Sequence, residues 1–428
     1  MSSVEGVAAV PPQGSAHRTP ASGHVGDRPD GRLLTARFWV VVASGTAYFL
    51  ALGMVLPVLP VYVEHRLGGS SLVVGVTVGA FAFGAVLLRP VAGRLGDQAG
   101  RRVLMAGGAA VAGGSMLLYA LTHAIVPLIA LRVLTGVGEA AFFVGASTMV
   151  TDLSPAHRRG EALSYWSVAV YGGLAFGPAV GEAILGDGRY EAVWISAGLA
   201  ALVAALLGLG TVDTLHDLDP RDRADAEGRP ALLHRGALRP GAVMFLGLIG
   251  LAGFATFVPL YARDVGLADA RYVFLLYGGL ILAVRVLGAR LPDVLGSRRG
   301  GSLALGTGAA GLAVMAAWPS AVGLVAGTAV FAVGMSLLYP ALTTLALDGV
   351  PDRERASAMG TVSTFFDLSQ GVGPFALGAV VGLASYRVMF GVSAAFSILG
   401  LGLLRGRVAR PGPGKASPAR PSTGTVAA

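Results

Sequence analysis

The chain has no cysteine, which excludes disulfides, thiolate metal sites and cysteine nucleophiles. It has almost no lysine: Lys415 stands alone and is followed by Ala416. A phosphate-binding loop of the Gly-x-x-x-x-Gly-Lys-Ser/Thr type is therefore missing, and with it that route to nucleotide hydrolysis. No Gly-x-Ser-x-Gly nucleophile elbow occurs. The histidines, at 17, 24, 65, 123, 157, 216 and 234, fall in tails, loops or the ends of apolar runs, with no pair at zinc-binding helical spacing. Charge is scarce too, at 13% of residues against about a quarter in soluble chains. Neither enzyme chemistry nor a cofactor or metal is expected.

Apolar sequence is what the chain has in quantity. Hydrophobic residues make up 54% of the 428, and mean hydropathy is +0.69. Uncharged runs of about twenty residues match a hydrocarbon core roughly 30 Å thick. Backbone groups in lipid must be satisfied within the segment, so each run is expected to be a helix. Twelve spans follow: 38–60, 71–92, 103–122, 126–148, 162–186 and 192–211, then 240–262, 270–289, 302–319, 321–346, 357–383 and 387–404. The predicted fold is an all-α membrane protein with six-helix bundles over 38–212 and 240–404. A polar linker, 213–239, joins them. The Pro/Gly/Ser-rich tails, 1–37 and 405–428, are expected to be disordered, and the first lacks the apolar run of a signal peptide.

The net charge of +8 orients the chain. Of 32 Lys and Arg, 24 fall in the tails, the linker and the loops on their side. Five lie on the opposite side (Arg66, Arg189, Arg263, Arg271, Arg387), and three lie within spans (Arg89, Arg132, Arg285). By the positive-inside rule both termini are cytoplasmic and the protein sits in the cell (inner) membrane. Basic charge spread in this way is a topology signal and not a nucleic-acid footprint.

The chain also repeats itself. Gly93-Arg94-Leu95-Gly96-Asp97-Gln98-Ala99-Gly100-Arg101-Arg102 recurs 196 residues later, in worn form, as Ala289-Arg290-Leu291-Pro292-Asp293-Val294-Leu295-Gly296-Ser297-Arg298. The same offset relates Arg89 to Arg285, Asp152 to Asp348, Pro155 to Pro351, and Gly177-Pro178 to Gly373-Pro374. Separate regions sharing one offset describe two pseudo-symmetric halves, a transporter design whose substrate site lies at their interface near mid-membrane.

At these residues the chain resembles the major facilitator superfamily of secondary transporters, over about 38–404. Gly93-x-Leu95-x-Asp97-x-x-Gly100-Arg101-Arg102 is similar to the family's signature loop, although Gln98 stands where a basic residue is usual. Arg132-x-x-x-Gly136-x-Gly138 is similar to its fourth-helix motif. Gly173-x-x-x-Gly177-Pro178-x-x-Gly181 is similar to the fifth-helix motif of antiporting exporters, with Glu182 where a second small residue is common. The resemblance implies that the signature loop latches the halves on the cytoplasmic side, through Gly93, Asp97, Gly100, Arg101 and Arg102, and more weakly through Asp293, Gly296 and Arg298. The plain alternative makes the arginines interfacial anchors. Gly100 suits a tight turn, and Asp97 suits a helix N-terminus. Gly173, Gly177 and Gly181 offer a face for close helix packing, and Pro178 removes a backbone hydrogen bond. Such a seam suits an exporter that must not leak protons, but it is also ordinary packing.

Charges within spans are costly and usually functional. Glu139 and Asp367 fall near mid-membrane and are the leading candidates for proton carriage or cation recognition, because a carboxyl group in a low-dielectric cavity can bind and release a proton near neutral pH. Arg132, seven residues before Glu139, lies near the same helix face and can pair with an acid. Glu182 reads as a further acid or as a rim residue reaching water. Arg89 and Arg285 read as side chains snorkelling to the interface. Tyr339, beside Pro340, is the best of several aromatics (Tyr48, Tyr171, Phe142, Phe143, Phe365, Phe366) that either line a cavity or only pack. The expected activity is proton-coupled export of a small organic compound by alternating access. Proton symport or facilitated uptake of a sugar or other metabolite is the near rival. An enzyme or sensor on a transporter-like scaffold is the distant one. The expected partners are a small-molecule substrate, protons and the lipid bilayer, with no nucleic acid and no obligatory protein partner.

Overall fold

The computed structural model describes residues 33–155, 158–214, 234–287, 295–351 and 354–406. Among them are twelve long helices: α1 (Ala36–Val61, extended by a π-helical turn, Tyr62–Arg66), α2 (Ser71–Ala99), α3 (Arg101–Tyr119), α4 (Ile125–Asp152), α5 (Arg159–Leu185), α6 (Tyr190–Leu209), α7 (Leu238–Asp264), α8 (Arg271–Leu287), α9 (Ser297–Ala317), α10 (Ala321–Leu347), α11 (Arg355–Leu383) and α12 (Tyr386–Arg405). Eleven are long and apolar enough to cross a membrane. The other, α8, has 17 residues and runs up to the end of a described stretch.

The repeat is visible in the helix starts. Arg101 and Ser297, Ile125 and Ala321, Arg159 and Arg355, and Tyr190 and Tyr386 are each 196 residues apart. Local chemistry sets several of these boundaries. Gly100 and its counterpart Gly296 take φ of +98° and +70° immediately before α3 and α9, a conformation that a residue with a Cβ enters at a cost. Hydroxyl caps on Thr35, Ser320 and Ser385 accept the exposed amides of Phe38, Gly323 and Val388 at 3.1–3.3 Å.

In the first half α1 packs against α5 and α6, α2 against α4, and α3 against α4 and α6. In the second, α7 packs against α11 and α12, and α9 against α10 and α12. Small residues bring the axes together. A Cβ on Gly177 would stand 2.6 Å from the Cα of Gly53, and one on Gly173 would stand 2.7 Å from the amide nitrogen of Leu50, so the glycine face of α5 is buried against α1. Outward faces stay apolar and exposed, as at Leu199, Val203 and Leu206 on α6 and Ile398 and Leu399 on α12. That suits lipid as the neighbour.

The halves meet through α2 with α11, α5 with α8, and α1 with α7. These contacts gather on the face opposite the termini. There Gly75 and Gly79 of α2 press on the backbone of Pro374 and Gly371, and Gly378 presses on Ser71. Arg263 and His65 approach to 3.4 Å across the loops of that face. By contrast α4 and α10, which run toward the termini-bearing face from opposite halves, make no close packing contact among the described residues.

Candidate transport site between the two halves

The crossing of α2 and α4 positions the charged centre. The two backbones meet at Gly84 and Gly136, where a Cβ on either would run into the other helix. Beyond the crossing, toward the far face, Arg132 donates to the carbonyls of Thr77 and Val78 at 3.4 and 3.3 Å and covers the ring of Phe81 at 4.9 Å. On the other side of the crossing, Arg89 of α2 meets Glu139 of α4. Gly138 faces the third helix, where its Cβ would stand 2.7 Å from the amide nitrogen of Ala112. The two glycines of the α4 motif therefore serve different neighbours.

Arg89 holds the centre of the site. Its Nη2 donates to Glu139 Oε2 at 3.5 Å, and its Nε lies 3.0 Å from Asp367 Oδ2 on α11 of the other half. The Nε–H is not directed at Asp367, so this second contact is charge attraction without a hydrogen bond. Side-chain exposure is 27% for Arg89, 10% for Glu139 and 7% for Asp367. A guanidinium is always charged, so one fixed cation faces two acids, Glu139 in its own half and Asp367 across the seam. Arg89 turns inward to those acids, where the sequence reading sends it to the membrane interface. Arg132, read as an ion-pair candidate, is engaged with backbone carbonyls of α2.

The remaining candidates divide by location. Tyr48 stacks on Phe142 at 3.9 Å, both fully buried, and is packing in the core of the first half. Tyr339 meets Phe366 edge-on at 6.0 Å and lies within electrostatic reach of Arg89, Asp367, Arg285 and Tyr171. Arg285, sent to the interface by the sequence reading, lies across the seam with its guanidinium 3.8 Å from the ring centre of Tyr171. Glu182, read as a rim residue, is only 2% exposed. It faces the start of the second half's α8, near Arg263, Asp269 and the Ala270 backbone.

The signature loop forms its own cluster on the termini-bearing face. Arg101 pairs with Asp152 at the end of α4. The same Asp152 oxygen accepts from Thr214 at 2.7 Å, and Asp213 accepts the Arg101 amide at 3.3 Å. These partners bind the loop to α4 and to the chain after α6, all within the first half. Arg102 has its Nε buried without a hydrogen-bond partner. Arg298 lines a groove of about 600 Å³ between α9 and α12 with Arg299 and Arg405, on the outside of the second half. The side chain of Asp97 and all of Asp293 lie outside the described residues, and Gly93 is placed only as part of α2.

Two six-helix halves with an ion-paired centre at their seam are the architecture of a multi-pass membrane transporter. Comparison with known proteins agrees. The model of the Major Facilitator Superfamily matches residues 41–299 and 243–427, and the chain belongs to that family. An MFS-type transporter of Salmonella typhimurium is 32% identical over 365 residues, which cover 82% of this chain and 91% of the relative. One from Burkholderia pseudomallei is 32% identical over 376 residues, 85% and 90% of the two chains. Among solved structures, a bacterial homologue of the human lysosomal transporter Spinster, in an inward-facing and unoccupied conformation, aligns with a TM-score of 0.73 at 15% identity, covering 89% of this chain and 97% of its own. The human organic anion transporter MFSD10 aligns with a TM-score of 0.66 at 19% identity, covering 88% and 100%. These two likenesses are of fold.

Proposed function

We propose that the protein exports a small organic compound across the cell (inner) membrane in exchange for protons, with both termini in the cytoplasm. The observation that carries the reading is Arg89, shared between Glu139 of its own half and Asp367 of the other. A proton arriving on Asp367 removes the charge that holds α2 to α11 at mid-span. Arg89 then retains Glu139 and the halves are freed to rock. Loss of that proton restores the cross-seam attraction. Proton binding and the relative position of the halves are thereby one equilibrium.

With the termini in the cytoplasm, the packed face is the outer one, and the lack of close packing between α4 and α10 among the described residues supports an inward-facing state. Glu182, at the closed face, is the outer acid that an entering proton meets before the centre. The Arg101–Asp152 cluster is the cytoplasmic brace, which must reposition when that side closes. The Gly173-x-x-x-Gly177-Pro178-x-x-Gly181 pattern, similar to the fifth-helix motif of antiporting exporters, supports export over uptake. Accumulation of labelled candidate compounds in inside-out vesicles under an imposed pH gradient tests the reading. Transported compounds should stop accumulating when the gradient is collapsed. Accumulation indifferent to collapse for every transported compound would overturn it.

A further inference from the structure

The internal repeat turns the charged centre into a comparison. Shifting Arg89, Glu139, Phe143 and Asp367 by 196 residues, forward for the first three and back for the last, gives Arg285, Met335, Tyr339 and Tyr171. The geometry follows the shift. Arg89 reaches across the seam to Asp367, and Arg285 reaches across it to Tyr171, the position that corresponds to Asp367. The second centre has kept its arginine and has an apolar or aromatic residue at both positions that are acids in the first.

Among the described residues Arg285 has no carboxylate partner and the face of Tyr171 is its one charge-compensating contact, while its Nε is buried without a hydrogen bond. A guanidinium keeps its charge at any physiological pH. Within a span, such a charge is expensive unless something neutralises it. A tyrosine face offsets part of that cost but leaves the donor fork free in the plane of the group. That fork matches the two oxygens of a carboxylate. Tyr339 and Tyr277 lie within electrostatic reach of the same charge.

We infer that Arg285, seated on Tyr171, is the anion-recognising group of the central site, and that the transported compound is an organic acid with a carboxylate head and an aromatic or apolar body. The two pseudo-symmetric centres then divide the work. The Arg89 centre, with its own acids, handles protons, and the Arg285 centre receives its acid from the substrate. This rests on the seam being the transport site, as proposed above, but not on the coupling ion.

The test is equilibrium binding to the full chain in lipid nanodiscs, without a gradient, so that it stands or falls separately from proton coupling. The probes are 2-naphthoate, 2-naphthamide and 2-naphthylmethylamine at matched concentrations, followed by thermal unfolding. Naphthoate should stabilise the protein saturably, and the amide and amine should not. Arg285→Gln should weaken naphthoate binding at least about tenfold, with Arg285→Lys intermediate and Arg189→Gln, on the far loop, unchanged. Should Arg285→Gln fail to fold, Tyr171→Asp gives Arg285 the acid that Arg89 already has. It should abolish naphthoate binding, whereas Tyr171→Phe, which keeps the ring, should retain it. Equal stabilisation by amide or amine, absence of any carboxylate-specific effect, or undiminished binding in Tyr171→Asp or in a folded Arg285→Gln would each overturn the proposal.

Discussion

Arg89 Nε lies 3.0 Å from Asp367 Oδ2, and through this contact an arginine of the first half and an acid of the second share charge at mid-span. The same guanidinium serves Glu139, so its removal strands two buried carboxylates. Arg89→Gln should reach the membrane folded yet lose at least about tenfold in turnover, roughly 1.4 kcal/mol in the barrier. The exchange pair Arg89→Asp with Asp367→Arg should recover part of what either single change loses. Transport rates normalised to the amount of protein in the membrane measure both effects.

Close packing of α5 on α1 gives a stability prediction. Gly177 has no room for a side chain, with Gly53 Cα 2.6 Å from where its Cβ would stand, whereas Gly172 faces open space. Gly177→Leu should therefore destabilise the protein by about 2–3 kcal/mol or stop it folding. Gly172→Ala should be neutral or slightly stabilising. Melting temperatures of the purified variants in one detergent distinguish these outcomes.

The brace on the termini-bearing face is also open to a single change. Asp152 accepts from both Arg101 and Thr214. Asp152→Ala should cost about 2 kcal/mol, the scale of hydrogen bonds to a charged group. Thr214→Val, which removes one of the two donors and leaves Asp152 paired with Arg101, should cost less than Asp152→Ala, about 1–1.5 kcal/mol. Denaturation of the two variants side by side checks the order.

Twelve helices, two halves and the offset that relates them were legible because lipid leaves the backbone few choices and duplication leaves a register. The positions of the interior charges along their helices were legible for the same reason. Their partners were not. Arg132 and Glu139 are seven residues apart and near one face of α4, yet Gly84 and Gly136 let α2 cross between them, so each meets a different part of α2. Hydropathy places Arg89 and Arg285 by depth alone, and a long side chain at that depth can turn to the interface or to the seam. The offset of 196 residues, applied to Asp367 as well as to the loops, points to Tyr171 and was the unused signal for Arg285.

The absence of cysteine makes distance measurements direct, since every introduced thiol is unique. Spin labels replacing His65 and Arg263 report the far face, and labels replacing Pro155 and Pro351 report the termini-bearing face. During turnover the first distance should lengthen as the second shortens. The two moving together would contradict rocking of one half against the other.

Glu139 and Asp367, gathered on Arg89, are proposed to couple proton movement to transport. This coupling is tested by replacing them one at a time, Glu139→Gln and Asp367→Asn, in inside-out vesicles carrying a compound that the unaltered protein accumulates. In each variant the imposed pH gradient should no longer drive accumulation, while exchange of labelled for unlabelled compound, which needs no net proton movement, should persist. Gradient-driven accumulation retained in both variants would contradict the account.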